Sequence, residues 1–134
     1  MSPPDIIGDR AEDTEPRIKI LVVEDDLLIR MTVSEYLRDC GLRVVEAANG
    51  QEAVKVLTDC KRPVTLVFSD IQMPYSDGFA LARWIQTNRP GLCIILASGN
   101  PANAATASDM GLGPILHKPY DLNALHTRLQ KEFT

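Results

Sequence analysis

Short apolar runs alternate along this chain with segments whose apolar residues recur at helical spacing. From Ile18 the run IKILVV is β-branched and uninterrupted, as a strand buried on both faces requires. It ends in Glu24-Asp25-Asp26. Beyond it Ile29, Val33, Tyr36, Leu37 and Cys40 share one helical face, and Gly41 stands at the usual helix stop. LRVVEA is a second strand, and the turn residues Asn49-Gly50 lead to a short helix through Ala53, Val54 and Leu57. VTLVFSD and GFALARWIQTN form the third strand and helix, closed by Pro90-Gly91. LCIILAS and PILHK read as strands four and five. Asp121 caps a last helix that turns Leu122, Leu125 and Leu129 inward. This alternation, without internal repeats, predicts an α/β domain: a doubly wound, five-stranded parallel sheet covered by five helices.

Residues 1–17, with three prolines, five acids and little periodicity, are expected to form a disordered leader ahead of one domain at 18–134. The initiator Met1 and the short polar leader suggest a complete small protein rather than a fragment of a longer one. A net charge of −4 argues against a nucleic-acid surface. No apolar run approaches the ~18 residues of a membrane span, and no signal peptide opens the chain. Cys40, Cys60 and Cys93 share no CxxC spacing and read as reduced thiols of a cytoplasmic protein.

Polar groups gather where the strands end. Glu24-Asp25-Asp26 follows strand one, Asp70 strand three, Ser98 strand four and Lys118 strand five. Parallel strands bring all four ends to one edge of the sheet, where open α/β folds bind ligands. Clustered carboxylates repel one another unless a cation sits among them. Lys118 is one candidate, and a divalent ion is the other; an all-oxygen set suits Mg²⁺ or Mn²⁺. Neither His117 nor His126 has metal-like spacing, and His126 reads as a helix-surface residue. Asp26 and Asp77 read as cap or turn residues. Asp70, the only acid alone at a central strand end, is the natural nucleophile toward phosphorus. Asp25, with Glu24, would hold the metal, while Lys118 and Ser98 would meet phosphoryl oxygens.

The pieces ILVVEDD, FSDIQMPYSDGFAL, ILASG and HKPY, in this order between Ile18 and Phe133, resemble the receiver domain of bacterial two-component response regulators, here of single-domain type. The resemblance implies a flavodoxin-like fold of strand order 2-1-3-4-5. It implies that Asp70 accepts phosphate from a sensor histidine kinase or phosphotransfer protein. Glu24 and Asp25 match the Mg²⁺-binding pair, with Asp70 and the Gln72 backbone carbonyl completing the ligands. Ser98 matches the hydroxyl that moves on phosphorylation, Lys118 the family's lysine, and the Lys118-Pro119 bond is expected to be cis. Pro74 and Gly78 would shape the loop beside Asp70, Gly78 by adopting torsions that other residues avoid. Gln72 and Ser76 flank the acceptor and are expected to tune phosphoryl lifetime.

Two departures stand out. The strand-five aromatic that usually reports phosphorylation is replaced by Ile115. The stretch GNPANAATASDMGLGP offers only Met110 and Leu112 as larger apolar groups, so a fourth helix there should be short or mobile. That helix lies on a face many receivers use for partners, so a weak homodimer is compatible with the reading. The expected function is phosphorylation-dependent signalling by protein contact or phosphorelay, not turnover catalysis. The alternatives are a degenerate receiver that binds without phosphorylation and an aspartyl-phosphate hydrolase. The hydrolase would need a second acid where this chain has Gln72.

Overall fold

The computed structural model describes residues 19–59, 63–73 and 77–132. The leader, Ile18, Cys60, Pro74, Ser76 and Phe133 lie outside them. The chain runs β1 (Lys19–Val23), α1 (Leu27–Asp39), β2 (Arg43–Ala47), α2 (Gly50–Thr58), β3 (Leu66–Asp70), α3 (Gly78–Asn88), β4 (Cys93–Ser98), α4 (Asn103–Asp109), β5 (Leu116–His117) and α5 (Leu122–Glu132). The strands form one parallel sheet of order β2-β1-β3-β4-β5, the flavodoxin-like arrangement.

The period of two along each strand divides the core. Leu21, Val23, Val67, Ile94 and Leu96 face Ala53 and Leu57 of α2, Leu81 and Ile85 of α3, and Ala107 of α4. Ile20, Val22, Leu66, Phe68, Ile95 and Ala97 face Val33 and Leu37 of α1 and Leu125 and Leu129 of α5. The central strands therefore need apolar residues at every position, which is why they read as unbroken runs.

Helix ends follow local chemistry. The Asp26 carboxylate accepts from the N–H groups of Leu28 and Ile29, and Asp77 does the same for Ala80. Asn49 is the cap of α2 rather than part of a tight turn: its Oδ1 accepts from Glu52 N–H, whose side chain accepts from Ala48 N–H. Asp121 accepts from Ala124 N–H at the start of α5. At the end of α1, Gly41 has φ 94°, with its N–H bonded to the Arg38 carbonyl and Leu42 N–H to that of Leu37. This is the paired C-terminal closure that a left-handed glycine allows.

Several expectations need correction. The fifth strand covers Leu116–His117, not PILHK, because Pro114 has no N–H to donate and Pro119 follows closely. Ile115 thus precedes β5 and is buried in the layer that holds Ala107. His126 is 5% exposed and meets Tyr36 edge-on at 6.4 Å, because α5 turns it toward α1. Ile29, in the first turn of α1, is 40% exposed beside Leu27 and Leu28 at 56% and 75%. The Lys118-Pro119 bond is cis, as anticipated.

Gly78 matters for a different reason than unusual torsion. A Cβ there would lie 2.6 Å from the Asp70 carbonyl oxygen and 2.8 Å from Ile71 Cα, while Gly78 N–H bonds the Ile71 carbonyl at 2.8 Å. The start of α3 is pressed against the end of β3. Gly78→Ala is expected to cost about 1–3 kcal/mol, the range for forcing extra volume into a packed site. A lower urea midpoint with an unchanged m-value would show it.

Candidate functional site

The ends of β1 and β3 lie side by side, since Val23 pairs with Ser69. Strand pairing on both flanks of each therefore delivers Glu24 and Asp70 to the same point. Glu24 N–H continues the ladder to the Ala47 carbonyl, and Ile71 N–H to that of Ala97. Oxygen atoms of Glu24, Asp25 and Asp70 all lie within 4.8 Å of one another. Glu24 and Asp70 are buried at 6% and 7% exposure, whereas Asp25 faces solvent.

Lys118 enters from beyond β5. Its Nζ lies 3.1 Å from Asp70 Oδ1 and 3.8 Å from Glu24 Oε1. Its N–H bonds the Ser98 carbonyl at 2.9 Å, which ties the lysine backbone to β4. Gln72 N–H points at Asp70 Oδ1 from 3.4 Å. Three carboxylates thus face one ammonium, an imbalance that favours a further cation. The donor set is all oxygen, with no thiolate or imidazole in the cluster, and fits a hard divalent ion.

The imbalance is visible in Glu24. Burial, then a hydrogen bond with Asp25 and the charge of Asp70, push its carboxyl up to about 7, against the opposing pull of Lys118 and the Asp26 N–H. Tyr120 stands over the same group with its ring edge-on to Phe68 at 5.9 Å. Burial, followed by the charges of Glu24 and Asp70, pushes its phenol up to about 12. Beside Lys118 opens an apolar cleft of about 600 Å³ whose walls include Leu28, Ile29, Pro119, Tyr120 and Leu122.

Ser98 ends β4 on the same edge, 1% exposed. Its Oγ accepts from Asn103 Nδ2 at 2.7 Å and from Asn100 N–H at 2.9 Å, so it is engaged with the start of α4. Asn103 escaped the sequence reading, for it sits in a polar stretch without periodicity. Arg30 was missed as well. It donates to the Glu24 carbonyl at 2.8 Å and pairs with Glu46 at 3.3 Å, fixing the acidic loop from behind. A signal existed: Arg30 shares the inward stripe of Val33 and Leu37 at helical spacing.

Residues 20–130 match the family described as the response regulator receiver domain. The chain belongs to that family. Receivers of this kind are components of two-component systems and interact with sensor kinases or phosphotransfer proteins. This receiver is 28% identical over 122 residues to "Probable chemotaxis protein CheY" of Rhizobium etli, covering 87% of this chain and 93% of that relative. It is 36% identical over 117 residues to the transcriptional regulatory protein PdtaR of Mycobacterium tuberculosis, of which the match spans only 56%. Among solved structures, the response regulator TrrA of Thermotoga maritima in complex with Mg²⁺-BeF superposes with a TM-score of 0.77 at 28% identity. That alignment covers 85% of this receiver and 97% of TrrA. Among the described residues, no helix is long and apolar enough to cross a membrane.

The raised Glu24 carboxyl makes a pH-dependent contribution to stability in the metal-free receiver. The folded state retains a proton that the unfolded chain releases near 4.5. That contribution is complete below pH 4.5 and is lost as pH rises through about 7. Urea unfolding in the presence of a chelator should show it as a difference in pH slope between wild type and Glu24→Gln across this window. Parallel slopes would assign the proton elsewhere.

Proposed function

We propose that Asp70 accepts a phosphoryl group from the phosphohistidine of a sensor kinase or phosphotransfer protein. The modified receiver then signals by protein contact or passes the group onward. The observation that carries this reading is the placement of Asp70: a buried carboxylate 3.1 Å from Lys118 and within 4.8 Å of two other acids. Glu24, Asp25, Asp70 and the Gln72 backbone carbonyl would hold the cation, which we take to be Mg²⁺, with Mn²⁺ as a substitute. When bound, that ion neutralises phosphoryl oxygens and lets an anionic donor approach three carboxylates.

The chain's own residues supply the rest. A carboxylate oxygen of Asp70 attacks phosphorus, the nitrogen–phosphorus bond of the donor breaks, and its electron pair returns to the imidazole. Lys118, fixed through its backbone bond to Ser98, meets the negative charge that gathers on the transferred group. Ser98 donates its hydroxyl proton to a phosphoryl oxygen. A donor protein reaching Asp70 has the apolar wall of Leu28, Ile29 and Tyr120 to pack against. Gln72 stands two residues beyond the acceptor, and its amide cannot serve as the general acid of a phosphatase, so the phosphoryl group is a signal rather than a turnover intermediate.

Incubation with acetyl phosphate and Mg²⁺ should add one phosphoryl mass to the intact protein. The adduct should be lost in Asp70→Asn and should fail to form when a chelator removes the metal. A wild-type protein that stays unmodified under these conditions would place it among phosphorylation-independent binding modules instead.

A further inference from the structure

Apart from the packing of Ala107, the fourth helix is fastened by one side-chain hydrogen bond at each end. It has seven residues, of which only Ala107 is buried. Its N-cap position is Ala102, which offers no side-chain acceptor to the first turn. At its far end Gly111, with φ 76°, closes the last turn, and Gln86 Nε2 donates to the Met110 carbonyl at 2.8 Å. At its near end the first helical residue, Asn103, donates from Nδ2 to Ser98 Oγ at 2.7 Å.

That contact joins α4 to the hydroxyl assigned above to the phosphoryl group. Ser98 Oγ already accepts two hydrogen bonds, from Asn103 and from Asn100 N–H, and its own proton reaches only the Asn100 carbonyl at 3.5 Å. A hydroxyl has two acceptor positions and one donor. Rotating the Ser98 side chain toward a new acceptor would carry Oγ itself away from Asn103 Nδ2 and so break the bond that pins α4. Beside Asn103 lies a hollow of about 500 Å³ lined by Ile71, Gln72, Met73, Asp77 and Phe79, with polar groups that can receive a displaced amide. Ile115 is buried and aliphatic, so it provides no ring to carry the signal.

We infer that Asn103 is a positioning residue: it holds Ser98 in the unmodified state, and its release when Ser98 turns to phosphorylated Asp70 transmits modification to α4. This inference rests on the assignment of Asp70 as phosphoacceptor. It makes the readout a loosening of residues 99–113 at their N-terminal end, with one side-chain hydrogen bond as the latch.

The test compares amide exchange across residues 99–113 before and after modification with acetyl phosphate and Mg²⁺, with adduct formation followed by intact mass. In wild type, modification should speed exchange at the start of α4. Asn103→Ala should show that faster exchange already when unmodified and should change little further on modification. It should also form the adduct roughly five-fold faster, the factor set by losing one neutral hydrogen bond. Ala105→Gly separates latch from helix stability. Ala105 is exposed in the same helix, and glycine weakens helices without touching Ser98. This variant should raise basal exchange yet keep the wild-type response. An Asn103→Ala protein that gains the adduct and still responds like wild type overturns the latch. Absence of any adduct on wild type overturns the phosphoacceptor assignment, and the latch falls with it.

Discussion

Two buried carboxylates, Glu24 and Asp70, are held side by side at the end of the sheet against their mutual repulsion, and the surrounding structure follows from that constraint. Left to itself, an acid placed this way would swing toward water or take up a proton. Swinging is prevented because β1 and β3 are each paired on both sides and covered on both faces. Arg30 bonds the Glu24 carbonyl, Asp26 is committed to capping α1, and α3 presses Gly78 onto the carbonyl of Asp70. The remaining outlet is chemical. Glu24 keeps a proton to about pH 7, or the cluster takes a cation. A site under this electrostatic demand suits a divalent cation, the condition on which the proposed phosphoryl transfer depends.

Rigidity at the site contrasts with the attachment of its neighbour. Helices α1, α2, α3 and α5 each bury two or more apolar residues, whereas α4 buries Ala107 alone. Shifting a two-state element from 1% to 99% populated takes about 5.5 kcal/mol. Charge-assisted hydrogen bonds of about 1.5–3 kcal/mol each, to the phosphoryl group proposed beside Ser98 and Lys118, would supply a useful share of that. They do so only if the responding element is lightly held. Small residues and a missing side-chain cap meet that condition in α4.

The share of fold and site that was legible without coordinates follows the distance over which each cause acts. Element type is set within a few residues: unbroken β-branched runs for strands, Asp26, Asp77 and Asp121 as caps, Gly41 as a left-handed stop. Parallel pairing then brings every strand end to one edge, so Glu24, Asp25, Asp70, Ser98 and Lys118 could be nominated together. Other features depend on a neighbour far along the chain. Gly78 reads as a torsional residue, but its requirement is the closeness of Asp70 and Ile71. His126 looks like a surface residue until α5 turns it onto Tyr36 of α1.

By itself, then, the chain's order of apolar runs, caps and strand-end acids determined the architecture and the chemical character of the site, because those signals are local and the topology of a parallel sheet multiplies them. Tertiary structure alone decided how the site is held and which groups its side chains touch. Arg30 behind Glu24, Lys118 at 3.1 Å from Asp70, and Asn103 on Ser98 are contacts between elements. A side chain's partner across such a junction depends on register and packing angle, which no local pattern encodes.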